Sequence, residues 1–361
     1  MELFHAHNQW ATRPADERFD TLDAMYGATR AYASVAVEKA VPWDNLRVEA
    51  SDDNLALVGR TGVPAKLTHY AFGQLAARVG APAGYLRALP PTLAAQNLNH
   101  GLKERGPQDN ASLLFHRNGD LLLRAATSEK YARIWNYELI ERLQDMAARF
   151  ALVPACATMS WTGGAIDDSH KALYASDHDM FAFLMSNDRT IQDPTAQGKA
   201  LRRGVIVINS EVGAAALKFM GFMFRDVCAN HIIWGAEQLA EVSVRHVGDG
   251  ANRRMIDAIV QVRRYMDGAE TLDAARFAET SVHIADDREK VLDRLFGIRS
   301  LGLSRKVLAA SYDAVVPAED GDARSVWGMA QGITRVSQAT AFADERTAMD
   351  RAAGKLLDFA F

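Results

Sequence analysis

From about Ala251 the apolar residues recur at three-to-four spacing and keep that period to the end of the chain, whereas before Ala251 many fall in short runs of strand length. This change of period limits the fold more than any other feature. Met255, Ile259, Val262 and Met266 form one apolar stripe on a helix starting at Ala251. Helices follow near Leu272–Thr280, Asp287–Gly297, Ser304–Val315 and Ser325–Leu357, with Glu319-Asp320-Gly321-Asp322 as an exposed loop between the last two. In the middle, Ser112–Arg117 and Leu121–Ala126 flank Asn118-Gly119-Asp120, which predicts a hairpin closed by a type I′ turn. Tyr137–Arg149 reads as an amphipathic helix, and Leu152–Thr158, Ala172–Ala175 and Gly204–Ile208 as strands. Leu217–Val227 is a continuous apolar run that suits a buried strand or a buried helix equally.

The first lobe mixes both periods. A helix is expected near Arg18–Val37, then strands at Leu46–Ala50 and Asn54–Arg60 around an Asp52-Asp53 turn. Three helical pieces follow, Thr68–Val79, Ala83–Leu89 and Pro91–Lys103, with Thr68 as N-cap, Gly80 as C-cap and Pro91 in a first turn. The fold class is therefore α+β: a mixed lobe over 1–110, a β-rich antiparallel centre over 111–250 and a helical region over 251–361, packed as one unit.

Hydrophobic residues at 48% and charged residues at 24% describe a chain able to bury a real core. The net charge of −4 excludes a polycation, so nucleic-acid binding would need a local patch. Only Cys156 and Cys228 are present, too few for a disulfide framework or a four-cysteine zinc site. The opening residues lack a basic stretch followed by an apolar one, and no apolar run is long enough to span a bilayer. A cytoplasmic protein with no membrane role is expected.

No GxxxxGK[ST] loop, strand-linked GxGxxG or GxSxG elbow is present, which removes the support for ATP-driven, Rossmann and α/β-hydrolase chemistry. Gln74–Arg87 has the outline of a helix-turn-helix, but its second helix offers only Tyr85 and Arg87 to a groove, so a packed corner is the better reading. Between Lys199 and Arg264 ten basic residues face six acidic ones, with Phe219, Phe222, Phe224 and Trp234 interleaved. Cations along a groove with rings that stack bases suit sequence-tolerant single-strand binding. The candidate contacts are Lys199, Arg202, Arg203, Arg225, Trp234, Arg245, Arg253 and Arg254. The competing reading is a solvated helix face over a core of phenylalanines.

Asn209-Ser210-Glu211-Val212-Gly213 follows an apolar strand, a common place for function; Ser210 there is better read as the cap of a helix starting at Glu211 than as a nucleophile. Asp167, Asp168 and His170, then Asp177, His178 and Asp179, with Cys228, His231 and His246, match no recognised metal spacing. No metal ligand, cofactor or catalytic residue is assigned.

Three blocks carry a family resemblance. They are LTHYAFGQLAARVGAPAGYLRALPPTLAAQNLNHGL with LLLRAATSEKYARIWNYELIERL, then GVIVINSEVGAAALKFMGFMFRDVCANHIIWG with VRHVG, and SVWGMAQGITRVSQATAFADERTAMDRAAGKLL. In that order, from about Leu67 to Leu357, they resemble the phage/plasmid-like family known as domain of unknown function 932. One departure is Cys228-Ala229-Asn230-His231, where family members usually read Cys-x-Asn-Gly. The resemblance implies a mobile-element setting near DNA-processing genes and assigns no residue a role. The resulting expectation is an ATP-independent binder of single-stranded DNA in replication or recombination, compatible with a homo-oligomer. A metal-dependent enzyme on nucleic acid or nucleotide, and a non-enzymatic anti-defence interaction protein, are the alternatives.

Overall fold

The computed structural model describes residues 15–51, 54–105, 110–154, 172–192, 200–225, 231–232, 242–268, 280–339, 349, 352–357 and 359. In chain order the first elements are β1 (Arg18–Phe19), α1 (Leu22–Ser34), β2 (Ala36–Pro42), β3 (Arg47–Ser51), β4 (Asn54–Val58) and β5 (Pro64–Leu67). Helices α2 (His69–Val79), α3 (Ala83–Ala88) and α4 (Pro91–Arg105) follow. Next come β6 (Asn110–Asn118), β7 (Asp120–Ser128), α5 (Asn136–Phe150), β8 (Leu152–Pro154), β9 (Leu173–Ala175), β10 (Met180–Gln192), β11 (Ala200–Asn209), β12 (Leu217–Arg225), β13 (His231–Ile232) and β14 (Val242–Val244). The chain then turns helical: α6 (Ala251–Asp267), α7 (Arg288–Gly297), α8 (Arg305–Ala314), α9 (Pro317–Asp320) and α10 (Val326–Ala339).

The strands form two sheets, and the protein is α+β. The first sheet runs β2-β6-β7-β5-β4-β3 and is mixed, because β5 lies parallel to β7. The second runs β1-β9-β10-β11-β12-β13, with β8 added to β10 and β14 to β12, and every pairing in it is antiparallel. The caps read from sequence act as expected: Thr68 accepts from the Ala71 N–H, and Gly80 ends α2 at φ 73°.

One face of the first sheet, with Val48, Leu57, Leu113, Phe115 and Leu123, packs on α2, α3 and α4 through Phe72, Leu75, Leu86 and Leu98. The second sheet buries both faces. Met180, Ala182, Leu184, Val205 and Val207 meet α1, α5 and α6, where Met255, Ile259, Val262 and Met266 all join the core. Phe181, Phe183, Met185, Ile206 and Ile208 fill the opposite face. A separate cluster around Trp327, with Val291, Leu292, Leu308 and Ile333, holds the helices after Ile284.

Several expectations need correction. The Asn118-Gly119 hairpin exists, but Asn118 pairs with Asp120 across Gly119 alone (φ 77°). A type I′ turn needs two positive φ values, and Asn118 is extended. The first helix is shorter than Arg18–Val37, because Ala36–Pro42 leaves it to pair with β6. Leu217–Val227 resolves as a strand, Leu217–Arg225. Glu319-Asp320-Gly321-Asp322 is not an exposed loop: Asp320 ends α9 fully buried, paired with Arg335 at 2.7 Å and accepting from the Val316 N–H. Leu272–Thr280 falls almost wholly outside the described residues. No helix among the described residues is long and apolar enough to cross a membrane.

Candidate functional site

The two sheets meet at a buried polar junction built around Asn209-Ser210-Glu211. The second sheet delivers this segment at the end of β11, and the first sheet answers it with Arg124 on β7. The β6–β7 register shifts between Leu114 and Phe115, so that Leu114 faces Ala125 while Phe115 faces Leu123. Arg124 is the extra residue of this bulge, and bulges re-aim side chains in this way. Its guanidinium donates to Glu211 Oε2 at 2.9 Å and to the Asp177 carbonyl at 2.8 Å. The two side chains are 1% and 3% exposed. The Tyr32 ring covers the guanidinium at 4.3 Å, and His116 stacks on Tyr32 at 4.1 Å.

The other carboxylate oxygen of Glu211 accepts the Asn136 N–H at 2.9 Å. Asn136 opens α5, so the carboxylate sits at the positive end of that helix. Asn209 Nδ2 donates to the Ile134 carbonyl and to Asn136 Oδ1. Arg133 donates to the Glu211 carbonyl and pairs with Glu38. Gln74 of α2 closes the junction, donating to the Val212 carbonyl and accepting from the Ala126 N–H.

Ser210 behaves differently from its sequence reading. No helix starts at Glu211, where the chain makes a turn. The Ser210 hydroxyl donates to the His178 carbonyl at 2.6 Å and accepts from the Val212 and Ala214 N–H groups. It caps a turn, and with its lone pairs committed it is not poised as a nucleophile. Tyr131 donates its hydroxyl to the Ser210 carbonyl and stacks on His246 at 5.3 Å. Burial pushes the Tyr131 hydroxyl well above its ordinary range. Burial also pulls the His246 imidazole down to about 4, against a weaker opposing hydrogen bond to the Ala132 backbone. His116 is lowered too, by burial and by Arg124.

A cleft of about 280 Å³ opens beside the junction, lined by Asp16, Glu17, Tyr32, Asn136, Asp177 and Glu211 among others. On its rim, Ser176, Asp177, His178 and Asp179 form the β9–β10 turn. Ser176 donates to Asp179 at 2.6 Å, and His178 Nδ1 lies 2.7 Å from Asp177. Ser176 and Asp177 both approach the same ring nitrogen, Nδ1. On the other nitrogen, Nε2 faces Asp179 at 3.5 Å, but the Ser176 hydroxyl gives its proton to Asp179 rather than to His178, so this cluster reads as a hydrogen-bonded turn. Among the described residues no three His, Cys, Asp or Glu side chains are placed to hold a metal ion. Asp167, Asp168, His170 and Cys228 lie outside the described residues.

The basic residues singled out from sequence scatter over different environments. Arg203 is buried, donates to the Tyr265 carbonyl and lies over the Tyr265 ring, so it belongs to the core. Arg202 donates to the carbonyl and side chain of Asn187. Arg254 donates to the carbonyls of Arg245 and Val247, fastening the turn before α6. Arg245, Arg253 and Arg264 are exposed and make no side-chain hydrogen bond or ion pair among the described residues. Arg225 ends β12 next to residues left undescribed, while Lys199 and Trp234 lie outside the described residues. Phe219 is core. The Gln74–Arg87 segment is a packed corner: Arg87 donates to the His69 carbonyl and covers the Phe72 ring.

Glu211 and Ser210 were legible as a polar cluster at a strand end. Arg124, Tyr32, Tyr131 and Asn136 were not singled out. One signal pointed to Arg124: a lone cation inside Leu121-Leu122-Leu123-Arg124-Ala125-Ala126 must be buried, and a buried cation needs a counter-charge.

No curated protein and no solved structure matches the chain. Residues 125–352 match the family model described as Domain of unknown function (DUF932). That span begins one residue after Arg124 and contains Tyr131, Asn136, His178, Asn209-Ser210-Glu211 and His246, so the junction is largely built from it. The match covers well over half of the chain, which therefore belongs to this family of unknown function.

Proposed function

We propose that the protein binds single-stranded nucleic acid, without ATP, along the outer face of α6 and the turn before it. The observation that supports this reading is the set of exposed arginines there that make no ion pair among the described residues. Arg253 and Arg264 are eleven residues apart, three helical turns, and so share one face over about 16 Å. Arg245 extends the set at the N-terminal end of α6, where Arg254 anchors the backbone. Exposed Val247, Ile256 and Val260 offer apolar surface between the cations. Asp257 shares this face one turn after Arg253 but forms no ion pair with it among the described residues, so the arginines can exchange their counterions for phosphates.

Gel shifts of single-stranded and duplex DNA at two salt concentrations, with and without chelator, test the proposal. Replacing Arg245, Arg253 and Arg264 together by Ala should weaken binding to all sequences alike. It should also flatten the log–log salt dependence by roughly 2, at about 0.7 per lost phosphate contact. Absence of binding at low salt, or an unchanged slope in the triple variant, would remove the reading. Chelator-sensitive cleavage of the strand in the same gels would instead support the metal-dependent alternative, working from the cleft beside Glu211.

A further inference from the structure

A second cavity, of about 310 Å³, lies on the first sheet far in sequence from the arginines of α6. Its wall is apolar because of strand alternation. On β2, Val37, Lys39 and Val41 point one way, while Glu38 points the other and pairs with Arg133. On β6, Leu113, Phe115 and Arg117 point into the same space, while His116 turns away to stack on Tyr32. Leu46, Leu57, Val63 and Leu121 add to the apolar wall. The helices that cover this face elsewhere contribute no residue here.

The charged residues of the lining are Lys39, Arg60 and Arg117, all exposed, and among the described residues no carboxylate lines the cavity. Arg60 uses one N–H on Asn45 at 2.7 Å. Lys39 and Arg117 make no side-chain hydrogen bond or ion pair among the described residues. The neighbouring carboxylate Asp120 is already held by Lys66 at 2.5 Å. An apolar recess with an all-cationic rim and no internal counter-charge complements one chemistry: an apolar body with a single anionic head.

We propose that this cavity binds a small amphiphilic anion, its chain between Leu113, Phe115 and Val41 and its head between Lys39, Arg60 and Arg117. At roughly 30 Å³ per water-sized unit, the space holds about ten non-hydrogen atoms, the size of an eight-carbon carboxylate. A nucleotide is a poorer fit, since Phe115 is the one aromatic residue among the described residues of the lining and is buried rather than free to stack on a base.

The test titrates the full chain with octanoate and with octan-1-ol, following methyl chemical shifts by NMR and affinity by calorimetry. Octanoate should bind one to one, shift the methyls of Val41, Leu113 and Leu121, and bind about tenfold more tightly than the alcohol. The K39Q/R117Q variant alters two exposed side chains, so folding should be unaffected. It should weaken octanoate about tenfold and leave octan-1-ol unchanged. V41W, which fills the cavity, should abolish both. Equal affinity for acid and alcohol, shifts confined to other methyls, or an unchanged octanoate affinity in K39Q/R117Q would each overturn the proposal.

Discussion

Replacing Glu211 by Gln tests the polar junction most sharply. The side chain keeps its shape, and its remaining carbonyl oxygen still accepts the Asn136 N–H. The other oxygen becomes an NH₂ group facing Arg124, and the negative charge paired with that guanidinium disappears. Both side chains are almost fully buried, so water cannot compensate. Removing one partner of a buried pair costs about 3–5 kcal/mol. Arg124 keeps the Asp177 carbonyl and the Tyr32 ring, which places the expectation at the lower end, about 3 kcal/mol. At roughly 2 °C per kcal/mol for a chain of this size, Tm should fall by about 6 °C. The control is R124M/E211Q, which removes both charges and should recover much of the loss, because the desolvation of Arg124 disappears with it. Denaturant unfolding of the wild type, both single variants and the double variant gives the coupling directly. E211Q within 1 kcal/mol of wild type, or a double variant less stable than E211Q, would refute the argument.

Three further outcomes follow from the packing. His246 is held down to about 4 when folded against about 6.5 unfolded, so the unfolded chain binds the proton more readily. Stability should fall as the pH drops from about 6.5 towards 4, by up to about 3 kcal/mol, and His246→Phe should flatten that part of the pH profile. Ile259→Asp places a charge without a partner in the core between α6 and the second sheet and should cost several kcal/mol; unchanged thermal stability would show that face to be solvated. Gly332→Ala pushes a methyl group into the Ser311 carbonyl of α8, a backbone atom that cannot rotate away, so the variant should lose stability measurably in a thermal melt.

Local periodicity and capping chemistry are written into short stretches of chain, and there the sequence sufficed. Thr68, Gly80 and the Met255/Ile259/Val262/Met266 stripe act within one or two helical turns, and each does what its spacing implies. The strand Met180–Gln192 carried no alternation to detect, because both faces of the second sheet are buried and Met180–Met185 is apolar throughout. Ala36 and Val37 read as the end of the first helix and become strand only because β6 is there to pair with them. Asp320 looks solvated until Arg335, fifteen residues on, folds back over it. The junction follows the same logic at longer range. Glu211 stands out at a strand end, yet its partner Arg124 lies eighty-seven residues earlier, aimed by a bulge that exists only once β6 and β7 have paired. Residue types and short-range spacing thus determined helices α2 and α6 and the caps at Thr68 and Gly80. Which charges are buried, which are paired and which remain free for a ligand was decided by tertiary structure, because desolvation and ion pairing depend on neighbours brought together only by the fold.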